Sequence, residues 1–328
     1  MQKFPAAAIL TASALVLAGC SSATAGGSDD GAIQVTASTN VYGSLVAQIG
    51  GDRVEVTTII DSATQDPHSY EASARDRLAV QEADLVIENG GGYDAFIDTL
   101  LDGSDAHVFT AASYSDSYPD EDGDDDHADE DEHSDEEEHD HEDGDDHEGH
   151  DHIEGFNEHV WFDPHTMIHV VEGIADELGE LDPDGAADFT AAADEIVADL
   201  EDAEAELDQI GADNAGAAVF MTEPLPGYIA AAAGLTDLTP EGFAESVEEG
   251  TDVAPATLLE ALEVIDSGDV AVVLTNAQTG GAETTRVEEA AEAAGVPVVA
   301  FSELLEDGSS YSEWMHDAIQ SLADALDS

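Results

Sequence analysis

Apolar and polar positions along residues 33–110 follow two alternating periods. Short β-branched runs such as Ile33–Ser38 and Val54–Ile60 predict strands, whereas Val41–Ile49 and Ala74–Glu82 have the three- to four-residue spacing of helices. The other elements predicted for this part are strand Leu85–Glu88, a turn at 90–92, helix Tyr93–Leu101 and strand His107–Thr110. Strands that alternate with helices indicate βαβ units around a mostly parallel sheet.

A second alternation follows a long helical region. The stretch Asp184–Ile210 has apolar residues at the spacing of one helix face, and Pro164–Leu178 is also helical. The later predicted elements are strand Ala217–Met221, helices Tyr228–Ala233 and Pro255–Ile265, strand Val270–Leu274, helix Thr284–Ala294, strand Val296–Phe301 and helix Tyr311–Leu326. We therefore predict an α/β fold with two lobes, 32–181 and 214–328, joined by one long rigid helix over 182–213. Each lobe has a mostly parallel sheet flanked by helices.

The first twenty residues are predicted to be a targeting segment. Lys3 precedes the apolar stretch Ala6–Leu17, which is too short to span a bilayer, and Leu17-Ala18-Gly19-Cys20 has the pattern of a bacterial lipobox. An ordinary signal peptide with a chance cysteine is the alternative, but Cys20 is the only cysteine of the chain. We expect lipidation at Cys20, a flexible tether over 21–31, and a protein anchored to the outer face of the membrane without spanning it.

The chain is extremely acidic, with 78 Asp and Glu against 5 Lys and Arg and a formal net charge of −73. The segment Asp116–Glu154 holds fewer than a third of these acids, so the acidity belongs to the whole surface. Salt screens such self-repulsion, which indicates a saline or salt-tolerant habitat. Nucleic acid and anionic lipid headgroups are excluded as partners of this surface, whereas cations are favoured.

We call Asp116–Glu154 the acidic tract. It has few apolar residues, and we predict a disordered loop that binds and exchanges cations rapidly. Its acids are interleaved with seven histidines: His127, His133, His139, His141, His147, His150 and His152. A solvated charge run is the alternative, but surface adaptation alone would select Asp and Glu and not His. The tract therefore indicates a loop that scavenges zinc for another site.

Three of four candidate segments for a specific metal site follow predicted strands, where open α/β sheets bind their ligands, and the fourth, Glu158–His165, follows the acidic tract. Imidazole and carboxylate groups suit zinc, and also manganese or iron. His165 and His169 could also form a metal pair on one helix, although histidines at this spacing recur by chance. The four candidate segments are Asp66–Glu71, Glu158–His165, Thr222–Pro224 and Asn276–Glu283.

Five motifs occur in an order that resembles a known family. They are DPHSYE at 66–71, EHVWFDPH at 158–165, TEPLPGY at 222–228, GVPVV at 295–299 and SYSEWM at 310–315. Together they resemble the zinc/manganese-type solute-binding lipoproteins of bacterial ABC transporters, over about Ile33 to Leu326. The acidic His-rich insertion before the second histidine motif is similar to that of the zinc-selective members. The resemblance implies that the ion binds in the cleft between the two lobes.

The resemblance also implies the ligands. His68 and His159 correspond to family ligands from the first lobe, and Glu223 to the ligand from the second lobe. At this last position zinc members often have histidine and manganese members glutamate. The fourth family ligand is an acid after the next-to-last strand, where Glu283 is the nearest acid; a water could equally fill the position.

We therefore expect the extracytoplasmic substrate-binding component of an ABC importer. Zinc is the first choice of cargo and manganese the second, and the expected partners are a membrane permease and its ATPase. We expect a monomer that is not an enzyme. The alternatives are a manganese carrier of the same family, a cell-surface zinc buffer and a zinc-dependent hydrolase. The sequence has no HExxH pattern, which disfavours the hydrolase.

Overall fold

The structure is a computed structural model that describes residues 31–62, 65, 67–68, 70–119, 153, 155–306 and 308–328. The targeting segment, Cys20, nearly all of the tether and the seven histidines of the acidic tract lie outside the described residues. Within the described ranges, no helix combines the length and apolar character needed to cross a bilayer.

The first sheet has four parallel strands in the order β2-β1-β3-β4. Its central strand β1 has a nearly continuous buried run, as expected for a parallel strand covered on both faces. The elements of this part are β1 (Ile33–Thr39), α1 (Asn40–Gly50), β2 (Val54–Ile60), α2 (Ala74–Glu82), β3 (Leu85–Glu88), α3 (Phe96–Leu101) and β4 (His107–Thr110).

Two helices, α4 (Pro164–Leu181) and α5 (Ala186–Asp213), lead to a second parallel sheet in the order β6-β5-β7-β8. Its central strands, β5 and β7, are again buried almost throughout. The elements are β5 (Ala218–Met221), α6 (Gly227–Ala232), β6 (Thr236–Asp237), α7 (Phe243–Glu248), α8 (Pro255–Asp266), β7 (Val270–Asn276), α9 (Ala282–Ala294), β8 (Val298–Phe301) and α10 (Tyr311–Leu326). The predicted two-lobed α/β fold with mostly parallel sheets is thus confirmed.

Four elements start later than the sequence predicts, and two of them have a clear structural reason. The strand expected from Val296 begins two residues later, because Pro297 has no N–H group to give to a ladder. The helix expected from Tyr93 begins at Phe96. The carboxylate of Asp94 accepts two backbone N–H groups of the preceding turn, at 2.7 and 2.8 Å, and this turn delays the helix.

Two short elements were not predicted. Strand β6 has only two residues, and helix α7 has six, after Gly242 with a φ of 77°. Both are shorter than the windows over which apolar periodicity can be recognised. Helix α7 matters for function because its last residue, Glu248, points towards the candidate metal centre described below.

The long helix α5 packs against helices of both lobes. It contacts α1 and α4 of the first lobe and α6 and α10 of the second. Its buried positions recur at alternating steps of three and four residues, which places them on one face. These positions are Phe189, Ala193, Ile196, Leu200, Ala203, Leu207 and Ile210. With 28 residues, α5 is roughly 42 Å long, so one apolar face serves both lobes.

Direct hydrogen bonds also join the two lobes near the ends of their strands. Asn40, immediately after β1, donates to the Leu305 carbonyl at 2.9 Å and accepts from the Leu305 N–H at 3.0 Å. Tyr311 of α10 donates from its hydroxyl to the Trp161 carbonyl at 2.7 Å. The start of α1 and the loop after β8 are therefore held side by side, and the candidate site lies close to them.

Candidate metal centre

Two buried histidines face each other where strand ends from both sheets converge. His68 lies in the connection after β2, and His159, only 1% exposed, precedes a 3₁₀ turn at 160–162. Their ring centroids are 5.9 Å apart, and the ring of Tyr93 makes edge contacts with both. Among the described residues, one group of potential ligand atoms lies within 4.8 Å of one another, and its members are His68, Glu158, His159 and Glu248.

The imidazole of His159 is oriented by Asn157. The side-chain oxygen of Asn157 lies 2.7 Å from His159 Nδ1 and also accepts the His159 backbone N–H at 3.1 Å. Its amide nitrogen donates to the carbonyl of Pro224 at 2.9 Å, and the Tyr228 hydroxyl donates to its backbone carbonyl at 2.7 Å. Because an amide oxygen can only accept, Nδ1 carries the proton and Nε2 presents its lone pair.

Two carboxylates of the second lobe are held by a shared donor. The Asn276 amide, at the end of β7, donates to Glu223 and to Glu303 at 2.7 Å each. Thr279 also donates to Glu223, and the Tyr93 hydroxyl donates to Glu303 at 2.9 Å. Both carboxylates are buried. Hydrogen bonds of this kind orient a carboxylate in the way that outer-shell partners orient metal ligands.

Each imidazole has a carboxylate nearby. The Nε2 atom of His68 lies 3.8 Å from an oxygen of Glu303, and His159 Nε2 lies 3.5 Å from an oxygen of Glu248. Glu158 is the third acid beside the histidines and is also buried. Together with Glu223, four carboxyl groups surround two imidazoles, a donor set that suits divalent transition metals.

Burial, together with repulsion between neighbouring carboxylates, raises the pKa values of the acids in this centre. The pKa of Glu248 is raised from 4.5 to about 9, first by burial and then by repulsion from Glu158, Glu223 and Glu303. Burial also raises the pKa of Glu223, while its two side-chain hydrogen bonds oppose the shift. A bound dication would supply the positive charge that these groups otherwise draw from protons.

The structure brings together His68 and His159, the two histidines that the resemblance implied. Glu223 lies at the end of β5 and is connected to the cluster through the shared amide described above. Glu283 is in the first turn of α9, with its carboxylate near Gly281. Like Glu223 and Glu303, it lies outside the group of potential ligand atoms within 4.8 Å of one another in the described residues, but no contact connects it to the imidazoles or to Asn276 among the described hydrogen bonds.

Sequence reasoning missed Glu158, Glu248 and Glu303 as members of the cluster. Glu303 follows β8, so the rule that ligands lie after strands could have found it if applied to the last strand as well as the one before. Glu158 directly precedes His159 in a motif that had been singled out. Glu248 gave no signal, because an acid on a short helix resembles the many surface acids of this chain.

Two parallel sheets whose strand ends meet at buried imidazoles and carboxylates define a two-lobed α/β protein with a candidate metal centre. The family described as zinc-uptake complex component A, periplasmic (ZnuA) matches residues 35–325, and the chain belongs to this family.

Relatives and solved structures agree with this assignment. The manganese-binding lipoprotein MntA of Halalkalibacterium halodurans is 28% identical over 208 residues, 62% of this chain and 58% of that protein's length. A crystal structure of ZnuA has a TM-score of 0.68 at 22% identity, covering 90% of this chain and 100% of the other. The protein FpvC of Pseudomonas aeruginosa, solved in complex with Mn²⁺, has a TM-score of 0.66 at 22% identity, with coverage of 90% and 99%. Both structures share the fold.

Replacing Asn276 with alanine should weaken metal binding while leaving the ligands in place. The substitution removes the donor shared by Glu223 and Glu303, and loss of such an outer-shell partner costs about ten- to a hundredfold in affinity. A competition titration against a zinc chelator measures this. Gln209→Ala on the exposed face of α5 is the control, and equal affinities in the two variants would contradict an orienting role for Asn276.

Proposed function

We propose that this chain is the extracytoplasmic substrate-binding component of an ABC importer for a divalent transition metal, which it delivers to a membrane permease and its ATPase. The observation that carries the proposal is the pair of buried imidazoles, His68 and His159, among buried carboxylates where the two lobes meet. Membership of the ZnuA family supports the role in transport. The metal is cargo, so the site must both capture it and release it.

We propose that His68, His159 and Glu223 bind the metal, with Glu303 and not Glu283 as the fourth ligand. Support comes from the donors that orient both carboxylates and from the 3.8 Å separation of Glu303 and His68. This set takes two ligands from each lobe, so that metal binding and contact between the lobes depend on one another.

The remaining acids, Glu158 and Glu248, are the alternative carboxylate ligands, since they lie in the group closest to the imidazoles. Four ionised carboxylates around one dication would leave a net charge of −2 in a buried site, which is unfavourable. Glu223 and Glu303 are instead the two carboxylates oriented by one shared donor, the Asn276 amide. We therefore assign Glu248 to the surroundings of the metal and not to its ligands.

Zinc is the proposed cargo because the acidic tract combines seven histidines with its acids, and imidazole is a favourable zinc ligand. Manganese is the second candidate. A carboxylate at Glu223 and further oxygen ligands suit manganese, and the curated relative MntA is named as manganese-binding. Metal analysis of the purified protein, followed by competition between Zn²⁺ and Mn²⁺, distinguishes the two. Displacement of zinc by equimolar manganese would favour manganese as the cargo.

We also propose that the protein is a monomer anchored to the outer face of the membrane through Cys20. The relative MntA is named as a lipoprotein, which supports the anchor. Mass spectrometry of the mature N-terminus would detect a lipidated cysteine. An unmodified N-terminus elsewhere would exclude the anchor without affecting the metal centre.

Replacing residues 120–152 with a short Gly/Ser linker should remove weak zinc binding and keep one tight site. The described ends of the acidic tract remain in this variant, including Tyr118, whose ring packs edge-on against Phe156 at 5.3 Å. A matched variant, in which the seven histidines become asparagine, retains the acids and separates the role of imidazole from that of charge. Isothermal titration with zinc measures both classes of site.

The same titration distinguishes the alternatives. A cell-surface buffer would lose nearly all of its zinc capacity with residues 120–152, whereas an importer component keeps a stoichiometric site. Loss of all tight binding in the linker variant would contradict the proposed centre. Zinc-dependent turnover of ester or peptide substrates by the same variant would instead favour the hydrolase.

A further inference from the structure

A second pair of histidines lies on the surface of α4. His165 and His169 are four residues apart and therefore on the same face of the helix, with ring centroids 5.3 Å apart. Their side chains are 59% and 49% exposed, unlike the buried imidazoles of the proposed metal centre. Two histidines at this spacing form a recognised pair of zinc ligands on helices.

Each of the two histidines has a carboxylate near its Nδ1 atom. The Nδ1 atom of His165 lies 3.3 Å from an oxygen of Glu204, which comes from α5, and His169 Nδ1 lies 3.5 Å from an oxygen of Glu172. A carboxylate at Nδ1 favours the tautomer with its proton there, which leaves the Nε2 lone pair for a metal. This is the carboxylate–histidine arrangement that commonly supports zinc ligands.

A glutamate beside a histidine is not sufficient evidence in so acidic a chain. His107 and His316, the other exposed histidines of the described residues, also lie near glutamates, at 3.4 and 3.3 Å. Neither has a second imidazole among its ring contacts. The distinguishing feature of the α4 surface is therefore the pairing of two imidazoles that each have a carboxylate at Nδ1.

We propose that His165 and His169 form a second, exchangeable binding site for a divalent transition metal such as Zn²⁺. Both Nε2 atoms bind the ion, and water completes its coordination. The carboxylates of Glu204 and Glu172 balance the two positive charges and offset the positive end of the α4 dipole nearby. Solvent access to the site allows rapid exchange. The site is independent of the buried centre and of its proposed role in import.

Carbethoxylation of histidines by diethylpyrocarbonate, read by peptide mass mapping, tests the site in the full chain. A chelator buffer fixes free zinc, so binding by the acidic tract does not deplete it. We expect zinc to protect His165 and His169 at the same concentration, while His107 and His316 remain reactive. In His169→Ala, protection of His165 should require at least about tenfold more zinc, because the second ligand is lost.

The reciprocal variant His165→Ala should shift protection of His169 equally, and Glu204→Gln should weaken protection of both by a smaller factor. Circular dichroism is the control for folding of these variants, and we expect native spectra because the positions are on the surface. Protection of each histidine that is unaffected by loss of the other would show independent, adventitious contacts and overturn the proposal. Protection no greater than that of His107 and His316 would overturn it as well.

Discussion

Replacing His159 with alanine should lower zinc affinity at the buried centre by more than about a hundredfold, beyond the usual cost of losing an outer-shell partner. The substitution removes the imidazole whose Nε2 faces the cluster and whose Nδ1 is held by Asn157. Among the described residues, the rings in contact with His159 are those of His68, Tyr93 and Trp161, so no third imidazole lies beside it to take its place. The remaining carboxylates would hold a cation less selectively.

This experiment is clearest in the variant that lacks residues 120–152, where zinc binding by the acidic tract does not obscure the centre. Thermal unfolding with and without zinc provides a second readout. A ligand at a thousand times its Kd stabilises the folded state by about 4 kcal/mol, and His159→Ala should lose most of this stabilisation. His107→Ala, at an exposed histidine with a glutamate neighbour, is the matched control. Unchanged affinity in His159→Ala would contradict the proposed ligand set.

Periodicity predicted most of the architecture because the principal elements are long relative to their periods. The apolar positions of α5 recur over 28 residues, and the central strands have continuous apolar runs typical of buried parallel sheets. The motifs that carry the family resemblance singled out His68 and His159, and the structure brings these two histidines together. Their role as ligands stays a prediction. At these positions the neighbouring residues in the sequence are enough for the prediction.

The remainder of the centre depends on contacts between residues distant in sequence. Glu223 and Glu303 are brought together by Asn276, which is 53 residues from one and 27 from the other. In a chain with 78 acids, residue type alone cannot distinguish these carboxylates from surface ones. What distinguishes them is burial, which arises only when the strand ends of both lobes meet. Glu248 was still less predictable because α7 itself lacks a clear periodic signal.

Both lobes contribute to the orientation of two of the proposed ligands, His159 and Glu303. Asn157 holds His159 on one side and the Pro224 carbonyl of the second lobe on the other. Tyr93 of the first lobe donates to Glu303 of the second. Separation of the lobes would therefore disorder the outer shell and weaken the metal site. In the proposed set of ligands, metal binding is therefore coupled to contact between the lobes.

Without metal, the protein should become less stable as the pH rises from about 5 to 9, and Glu248→Gln should remove much of this dependence. The pKa of Glu248 is raised from 4.5 to about 9, so the folded state retains a proton that the unfolded chain loses. A carboxyl whose pKa is raised on folding stabilises the folded state fully below its pKa in the unfolded chain. This stabilisation is lost as the pH rises towards its pKa in the folded protein. The expected slope is about 1.4 kcal/mol per pH unit for one such group.

Urea unfolding of the metal-free protein across this range measures the slope. A residual slope should remain from other buried acids, chiefly Glu88, whose pKa burial raises to about 7, and Glu223, whose pKa is also raised. Glu249→Gln, at an exposed acid beside the end of α7, is the matched control and should retain the full dependence. Glu248→Gln should keep most of its zinc affinity, because we assign this carboxyl to the surroundings of the metal and not to its ligands. If the variant instead loses as much affinity as His159→Ala, Glu248 is a ligand, and the group closest to the imidazoles binds the ion directly.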